Sequence, residues 1–473
     1  MGRKRILLTV PIQSLARGMG LLDVGLGHVA AACEAAGWDV VLQDWNIHHT
    51  PESFRKYLES ESFDLVGVKV FTQQVAAAKK TLELVKEVQP EAATILGGPH
   101  PTGSRPEDLW EAFGEVLDFA MAGDGELGML SLLGMWEERG ERPDASSLGG
   151  VSGLRFQGSG GVTANETVFE PDLERLPQRD LSLQKPSLYT FAPLWDPLSS
   201  GRAAPVHTGR GCPCRCGYCI AWMINGPKPR RRSLEALKEE IRTLVTVYDV
   251  RRISFMDNVF LSDRDYLEQL CEWLIQEGYA LKWDFVPTSF FRQLKDPSLC
   301  RLVARAGGDA ALFGIESGSA EVLRRIRKNG TPEEYAEVVR TVHEAGILCM
   351  GYFMFGFPDE TLAEMEETLA FSRSLPFAKR HFGICLPFPG TLSHERLLEK
   401  HEMERVDWET YDFREPKLLP SQASPEQVID MFRRAERETL MSWEGVKTLG
   451  WMILLAGKAK MGRWRNRGKG RDA

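Results

Sequence analysis

The sequence lacks a long apolar run, a surplus of basic residues and an export signal. No apolar stretch reaches the roughly 20 residues that a membrane-spanning helix needs. Lys and Arg number 58 while Asp and Glu number 66, a net charge of −8, which argues against a nucleic-acid partner. The basic N-terminus leads into a short strand-like run at 6–10 without a cleavage site. These absences predict a cytoplasmic protein that does not span a membrane.

Cysteine is scarce, with nine residues in a chain of 473. A disulfide framework belongs to short, cysteine-dense secreted chains and is excluded. Five cysteines are scattered through apolar or helical patterns, namely Cys33, Cys271, Cys300, Cys349 and Cys385. The other four stand close together in the sequence, at Cys212, Cys214, Cys216 and Cys219. Thiols clustered in a long, reduced chain indicate metal or redox chemistry.

Strand-like and helical patterns alternate along residues 1–140, which we predict to form one domain. The predicted strands are 6–10, 40–44, 65–70, 94–96 and 119–122, and the predicted helices are 29–36, 53–59, 76–88, 107–113 and 127–139. Such alternation is typical of a Rossmann-like α/β domain, in which helices cover both faces of a parallel sheet. Ligands of these sheets bind at the carboxyl ends of the strands.

Three further regions follow. Residues 141–204 are rich in Gly, Ser and Pro and predict a linker with a small hairpin around 158–161. Residues 205–392 contain six more strand–helix units and predict a partial (β/α)6 barrel, whose chemistry lies at the strand C-termini. Its predicted strands are 205–208, 252–256, 282–286, 311–314, 348–353 and 380–384. Residues 393–473 predict a mostly helical region, and the whole chain belongs to the α/β class.

The cysteine loop follows the first predicted barrel strand. Read as Cys-x3-Cys-x2-Cys, it takes Cys212, Cys216 and Cys219. Iron–sulfur clusters are held by thiolates, usually four of them. Three thiolates on a short loop leave one iron open to the amino and carboxylate groups of a small molecule.

This loop, with Tyr218 just before its last cysteine, closely resembles the radical S-adenosylmethionine (SAM) superfamily. The resemblance implies that Cys212, Cys216 and Cys219 hold a four-iron four-sulfur cluster. It also implies that SAM binds the fourth iron and is cleaved to a 5′-deoxyadenosyl radical, with Tyr218 near the adenine. An electron donor such as flavodoxin or ferredoxin is the expected partner.

Cys214 departs from the family pattern because it lies inside the three-residue gap. It raises the alternative of a zinc site with four cysteines. Zinc sites usually combine one close pair with a second, distant pair, and the other cysteines of this sequence stand singly. We therefore interpret Cys214 as an inert neighbour of the cluster ligands.

Three later barrel segments match the same family. Asp257 and Asn258 end the second strand, where the resemblance implies contact with the methionine end of SAM. Glu316 and Ser317 end the fourth strand in a segment similar to the ribose-contacting one. Phe353 and Phe355 belong to a segment similar to the adenine-side motif, and a Pro-Phe-Pro-Gly-Thr run at 387–391 closes the sixth unit. Any one of these alone could be a barrel loop with turn glycines and capping acids.

The N-terminal domain resembles the cobalamin-binding domain that precedes many radical SAM cores. Its predicted cofactor contacts follow the third, fourth and fifth strands and are Thr72, Gln73, Gly97, Gly98, His100, Thr102, Gly123, Gly125 and Glu126. Glycines let the backbone approach a large ligand, and helix N-termini suit a phosphate tail. For His100 a turn residue that bonds its own loop is an equal alternative.

Two competing patterns are weaker. A Gly-x-Gly-x-x-Ala run at 25–30 with Asp44 imitates a dinucleotide fingerprint, but a long loop at 11–24 separates strand and glycine. The Asp-x-His-x-x-Gly motif of proteins that place a histidine on cobalt is absent. The resemblance therefore implies cobalamin without a protein histidine on the metal.

The combined resemblance implies methylation of an unactivated carbon of a small-molecule or lipid-like substrate. Cyclisation, rearrangement or oxidation with the same cofactors is the alternative reaction. A transfer-RNA methylthiotransferase would carry three more N-terminal cysteines, whereas only Cys33 precedes the loop. A non-catalytic cobalamin or metal-binding module would not need the SAM-side motifs.

The C-terminal tail predicts a contact with a membrane surface. Residues 443–456 are apolar and include Trp443 and Trp451. Basic residues follow at Lys458, Lys460, Arg463, Arg465, Arg467, Lys469 and Arg471. This is the composition of an interfacial anchor. The alternative is a helix packed on the barrel, followed by a solvated basic end.

Overall fold

The computed structural model describes residues 3–11, 22–44, 50–189, 202–401, 407–408 and 421–440. An N-terminal domain with a seven-stranded sheet precedes a six-stranded barrel. Within the described residues no helix is long and apolar enough to cross a bilayer. The apolar and basic tail at 443–471 lies outside the described residues.

The N-terminal sheet has the strand order β2-β1-β3-β4-β5-β6-β7. Its strands are β1 (Arg5–Thr9), β2 (Asp39–Gln43), β3 (Leu65–Lys69), β4 (Ala93–Gly97), β5 (Phe119–Met121), β6 (Leu154–Gly158) and β7 (Gly161–Ala164). The first five strands are parallel. All five lie where the alternating pattern predicts them, and their carboxyl ends meet at one edge.

Six helices cover both faces of this sheet. They are α1 (Val24–Ala35), α2 (Pro51–Ser60), α3 (Val75–Val88), α4 (Pro99–Gly103), α5 (Pro106–Phe113) and α6 (Glu126–Arg139). Successive strand residues point to opposite faces, so Leu7 packs with α2, α3 and α5 while Ile6 and Leu8 pack with α1 and α6. The buried strands read as nearly continuous apolar runs for this reason.

The predicted linker hairpin is part of the N-terminal sheet. Strand β6 pairs antiparallel with β5, and β7 pairs with β6. The second strand of the hairpin ends at Ala164, where the chain leaves the sheet. A short helix, α7 (Leu181–Gln184), lies between the hairpin and the barrel.

The barrel sheet contains six parallel strands in the order β15-β14-β13-β12-β11-β8. They are β8 (Arg202–Val206), β11 (Val250–Phe255), β12 (Lys282–Phe285), β13 (Gly308–Glu316), β14 (Leu348–Phe355) and β15 (Phe377–Ile384). A two-stranded ribbon, β9 (Gly209–Arg210) with β10 (Arg230–Arg231), encloses the cysteine loop. All strands pair only along this order, so the barrel is open, and the six-stranded prediction is confirmed.

Helices surround the barrel and continue after it. They are α8 (Ala221–Asn225), α9 (Leu234–Thr246), α10 (Arg264–Glu277), α11 (Pro297–Arg305), α12 (Ala320–Arg325), α13 (Pro332–Glu344), α14 (Leu362–Arg373), α15 (Leu392–Glu399) and α16 (Pro425–Leu440). Val428 and Met431 of α16 join the barrel core. They cover the edge strand β15, which would otherwise expose unpaired backbone.

The two sheets pack with their functional ends together. A Cβ atom added to Gly103 would lie 2.3 Å from the carbonyl oxygen of Pro389, so the loops after β4 and β15 touch backbone to backbone. Nearby, Arg105 forms an ion pair with Glu395. The carboxyl edges of both domains therefore enclose a common space.

Candidate functional site

A cavity of about 520 Å³ lies between the two carboxyl edges. The N-terminal domain lines it with residues of β1, β3, β4 and β5 and the starts of α1 and α6, and the barrel lines it with Pro205, His207, Arg210 and Met256. Its walls are mostly apolar, and Phe71 and Met256 on its rim are 40% and 48% exposed. Large apolar side chains exposed at a cleft suit a large, partly apolar ligand.

The predicted glycines border this cavity. Gly97, Gly98, Gly123 and Gly125 all line it. Gly98 has a φ of 98°, and a Cβ there would lie 3.1 Å from the Val70 carbonyl oxygen, so only glycine fits. A Cβ on Gly97 would meet nothing within 4 Å, which leaves the backbone open to a ligand.

Glu126 also lines the cavity, as predicted, and it is buried. Its Oε1 accepts a hydrogen bond from Arg210, while its Oε2 has no hydrogen-bond partner among the described residues. A buried acceptor without a partner is costly unless a ligand supplies the donor. The glycine rim and this acceptor without a partner together fit the corrin side chains of cobalamin, which carry amide donors.

Four predicted cobalamin contacts do not line the cavity. Thr72, His100 and Thr102 are buried inside the domain, and Gln73 is exposed outside it. Thr102 bridges two glycine loops, donating to the Gly98 carbonyl at 2.8 Å and accepting from the Gly123 N–H at 3.1 Å. These polar side chains hold the loops that carry the glycines rather than facing the ligand space.

The structure resolves the two alternatives for His100. Its Nδ1 lies 3.2 Å from the Thr72 hydroxyl and its Nε2 lies 3.3 Å from the Ser104 hydroxyl. Burial lowers the pKa of His100 to about 3, so the ring is neutral. With both ring nitrogens engaged, His100 is a loop-anchoring residue and not a metal ligand.

Charged residues that the sequence reasoning missed form one wall of the cavity. Lys69, at the end of β3, donates to both Asp23 oxygens at 2.7 and 2.8 Å. Although burial raises the pKa of the Asp23 carboxyl, Lys69 brings it below its ordinary value. His28 and His207 line the same wall, and burial lowers the pKa of both, so both are neutral. The sequence offered one indication that Lys69 belongs to the site, namely its position at the C-terminus of a predicted parallel strand.

The cysteine loop is anchored at both ends. Gly211 has a φ of 101°, and a Cβ there would lie 2.0 Å from the Lys228 carbonyl oxygen. The Cys212 N–H donates to the Gly226 carbonyl at 2.9 Å, and the Gly217 N–H donates to the Ile326 carbonyl at 2.8 Å. The loop thus follows β8 and β9 and is held between the ends of α8 and α12.

The loop thiols lie against one another. Cys212 and Cys216 are buried, and their thiols lower the pKa of the neighbouring Cys214. The Cys219 sulfur accepts from the Ala221 N–H at 3.4 Å. Within the described ranges no three His, Cys, Asp or Glu side chains converge at metal-binding distances. The chemical type of these side chains nevertheless fits an iron–sulfur cluster, because thiolates are its usual ligands and these thiols lie on one anchored loop.

A buried lysine stands beside these thiols and was missed by the sequence reasoning. The Lys328 ammonium lies 3.3 Å from Glu316 Oε1 and 3.3 Å from the Tyr218 hydroxyl. Burial alone lowers the pKa of Lys328, but Glu316 more than offsets this and raises it. Glu316 has a φ of 75°, a strained conformation costing about 1–3 kcal/mol that concentrates at functional sites. The predicted residues Tyr218 and Glu316 are therefore brought together, by Lys328.

Asp257 and Ser317 fix loops at this end of the barrel. Asp257 is buried and accepts from the Thr208 N–H at 2.6 Å and the Val259 N–H at 3.1 Å. The Ser317 hydroxyl lies 2.8 Å from the Thr368 hydroxyl and accepts from the Ser319 N–H. Asn258 follows Asp257 in the same loop. The backbone carbonyl of Asn258 accepts a hydrogen bond from the Thr288 hydroxyl.

Phe353 and Phe355 lie in the hydrophobic core. Both are fully buried, and each stacks on Phe382. Because strand residues alternate, Tyr352 and Met354 face the opposite side of the sheet and are only partly buried. The structure therefore assigns Phe353 and Phe355 to packing, and the predicted adenine-side contact does not fall on these rings.

Comparison with protein families matches both domains. The radical SAM superfamily model matches residues 206–372, and the B12 binding domain model matches residues 16–133. The two matches fall on the barrel and on the N-terminal domain described above.

Two curated relatives cover most of the chain. An uncharacterized methyltransferase of Pyrococcus horikoshii is 27% identical over 79% of this chain and 77% of its own length. The anaerobic magnesium-protoporphyrin IX monomethyl ester cyclase of Rubrivivax gelatinosus is 26% identical over 88% of this chain and 73% of its own length.

A solved structure shares the fold. The radical SAM methyltransferase TsrM of Kitasatospora setae, solved with cobalamin and a four-iron four-sulfur cluster, has a TM-score of 0.67 at 19% identity. The match covers 84% of this chain and 78% of that one.

Proposed function

Because the chain belongs to the cobalamin-dependent radical SAM enzymes, we propose that it methylates an unactivated carbon of a small-molecule or lipid-like substrate. The observation that carries the proposal is the single cavity bounded by the glycine rim of one domain and by Arg210 of the other. Arg210 stands two residues before Cys212, so the cobalamin side and the cluster side adjoin the same space.

The cofactors carry the difficult chemistry. When bound, SAM on the cluster supplies a radical that removes hydrogen from an unactivated carbon, and cobalamin supplies the methyl group. Cys212, Cys216 and Cys219 would hold the cluster, and the glycine rim with Glu126 would hold the cobalamin.

The remaining residues of the site would bind SAM and keep the loops around it in place. Lys328 offers a buried positive charge for a carboxylate, and Glu316 and Tyr218 fix its ammonium. Asp257 holds the loops after β8 and β11 through three hydrogen-bonding partners, so the cysteine loop starts from a fixed point. The apolar rim residues Met256 and Phe71 offer a surface on which an apolar part of the substrate can rest.

A second reaction class is favoured by one relative. The Rubrivivax gelatinosus relative is named as a cyclase, so ring closure with the same cofactors is the alternative outcome for this chain. Fold and cofactors do not separate methylation from cyclisation, because the substrate decides the fate of its radical.

The proposed partners follow from this chemistry and from the sequence. Reductive cleavage of SAM needs a low-potential electron donor such as flavodoxin or ferredoxin. Residues 443–471 combine an apolar segment with clustered basic residues, which supports a peripheral contact with an anionic membrane surface. Such a contact favours a lipid-like substrate.

Transfer of a labelled methyl group tests the function without knowing the substrate. The anaerobic protein, loaded with iron, sulfide and cobalamin, is reduced and incubated with SAM that carries a deuterated methyl group. We expect deuterated methylcobalamin and S-adenosylhomocysteine by mass spectrometry. Formation of 5′-deoxyadenosine without any label on cobalamin would favour the cyclase alternative.

A further inference from the structure

Cys214 is the one thiol of this protein that neither the core nor the three-cysteine pattern explains. The other five cysteines outside the pattern are buried in the apolar interior, whereas Cys214 is half-buried in the loop. Its sulfur shares a hydroxyl neighbour, that of Ser289, with the Cys212 sulfur. An inert neighbour would have no reason to point inward among the ligands.

Ser289 fixes the direction of the Cys214 side chain. The Ser289 hydroxyl lies 3.5 Å from the Cys212 sulfur and 3.5 Å from the Cys214 sulfur. Ser289 is buried in the loop after β12, and its carbonyl accepts from the Asn329 amide at 2.9 Å. Since Asn329 adjoins Lys328, Ser289 connects the Cys214 sulfur to the segment that carries the lysine proposed to bind SAM.

A fourth thiol at this place has a chemical consequence. Four-iron four-sulfur clusters usually take four thiolates, and the three-cysteine pattern leaves one iron without one. A ligand on the same short loop acts at an effective concentration of the order of millimolar. Such a thiolate can therefore compete with free SAM without excluding it.

We propose that Cys214 is a displaceable fourth ligand, which occupies the open iron until SAM binds and then leaves it. This rests on the proposed function, since it requires a cluster and SAM at this loop. The exchange involves no oxidation or reduction. The iron–sulfur bond to Cys214 breaks, bonds from the SAM amino nitrogen and carboxylate form, the proton lost by the SAM ammonium leaves to water, and Cys214 departs as a thiolate.

Removal of the thiol should strengthen SAM binding. If the thiolate occupies the iron in about 90% of molecules, only about a tenth of the molecules can bind SAM. Cys214→Ala makes all of them able to bind, so the apparent Kd for SAM falls about tenfold. Pro213→Ala is the matched control, because Pro213 is an exposed neighbour in the same loop and all four thiols remain. Its apparent Kd for SAM should equal that of the wild type.

Alkylation and electron paramagnetic resonance (EPR) report on the ligand directly. The anaerobic, cluster-loaded wild type is treated with N-ethylmaleimide in the absence and presence of SAM, and modified cysteines are identified by mass spectrometry. We expect Cys214 to be protected without SAM and modified with it. The reduced cluster of Cys214→Ala without SAM should give an EPR signal different from that of the wild type.

Two results overturn the proposal. Equal modification of Cys214 with and without SAM, while SAM still changes the EPR signal, refutes the ligand role and leaves the proposed function intact. A signal that SAM changes in neither the wild type nor Cys214→Ala refutes the proposed function and the ligand role together.

Discussion

Glu126 and Arg210 join the two domains through a buried ion pair, with the Arg210 Nη2 donating to Glu126 Oε1 at 2.5 Å. Glu126 begins α6 beside the glycine rim, and Arg210 begins the cysteine loop. Asp124 lies 3.4 Å from the same guanidinium and also binds Arg230 at 2.8 Å. Burial lowers the pKa of Arg210, but these carboxylates more than offset it. The pair therefore fixes the cobalamin side relative to the cluster side.

Removing Glu126 should destabilise the protein. Glu126→Ala leaves the Arg210 charge buried with only the more distant Asp124, and loss of one partner of a buried pair costs about 3 kcal/mol. The measurement is chemical denaturation followed by tryptophan fluorescence.

Glu395→Ala is the control for this pair. The Arg105–Glu395 pair also joins the two parts of the chain but is 50% and 30% exposed, so its loss should cost less than about 1 kcal/mol. Equal destabilisation by both variants would contradict a special role for Glu126.

Lys328 should set the affinity for SAM and not the cluster content. A hydrogen bond to a charged group contributes about 1.5–3 kcal/mol, so Lys328→Met should weaken SAM binding about ten- to hundredfold. Equilibrium dialysis measures the affinity, and iron and sulfide analysis confirms an unchanged cluster.

Lys295→Met provides the comparison, since Lys295 pairs with Glu337 on the surface. It should bind SAM as the wild type does. A Lys328→Met protein with normal SAM affinity would show that Lys328 serves only to neutralise Glu316.

Cobalt should carry no protein histidine. Both ring nitrogens of His100 are engaged within their own domain, and the Asp-x-His-x-x-Gly motif is absent. EPR of the cob(II)alamin form should therefore lack superhyperfine splitting from an axial nitrogen. Splitting that disappears in His28→Ala or His207→Ala would assign the ligand to the cavity wall and disprove this expectation.

The tail should bind anionic vesicles. The full-length chain is expected to co-sediment with phosphatidylserine-containing vesicles more strongly than a truncation ending at Glu438, because the basic residues meet anionic headgroups. High salt should weaken the difference. Equal partitioning of both proteins would refute the membrane contact and with it the reason for a lipid-like substrate.

The sequence predicted the eleven parallel strands of the described residues well because most of them are short apolar segments that alternate with helical patterns. It also identified the cysteine loop, whose spacing is local. It missed Lys69 and Lys328 because their partners Asp23 and Tyr218 lie far away in the sequence. It did not show that the side chains of Phe353 and Phe355 are buried in the core, because the motif does not say which face of β14 turns inward. Thr72, His100 and Thr102 come from the loops that border the predicted ligand space, but their side chains form hydrogen bonds within the N-terminal domain.

Reductive cleavage of SAM by the cluster-loaded protein tests the central claim most directly. The anaerobic wild type with a low-potential reductant should contain one four-iron four-sulfur cluster and form 5′-deoxyadenosine. Cys212→Ala, Cys216→Ala and Cys219→Ala should lose both the cluster and the product, whereas Cys214→Ala should keep both. A protein that binds zinc in place of iron, or that keeps its cluster in Cys212→Ala and loses it in Cys214→Ala, would contradict the account.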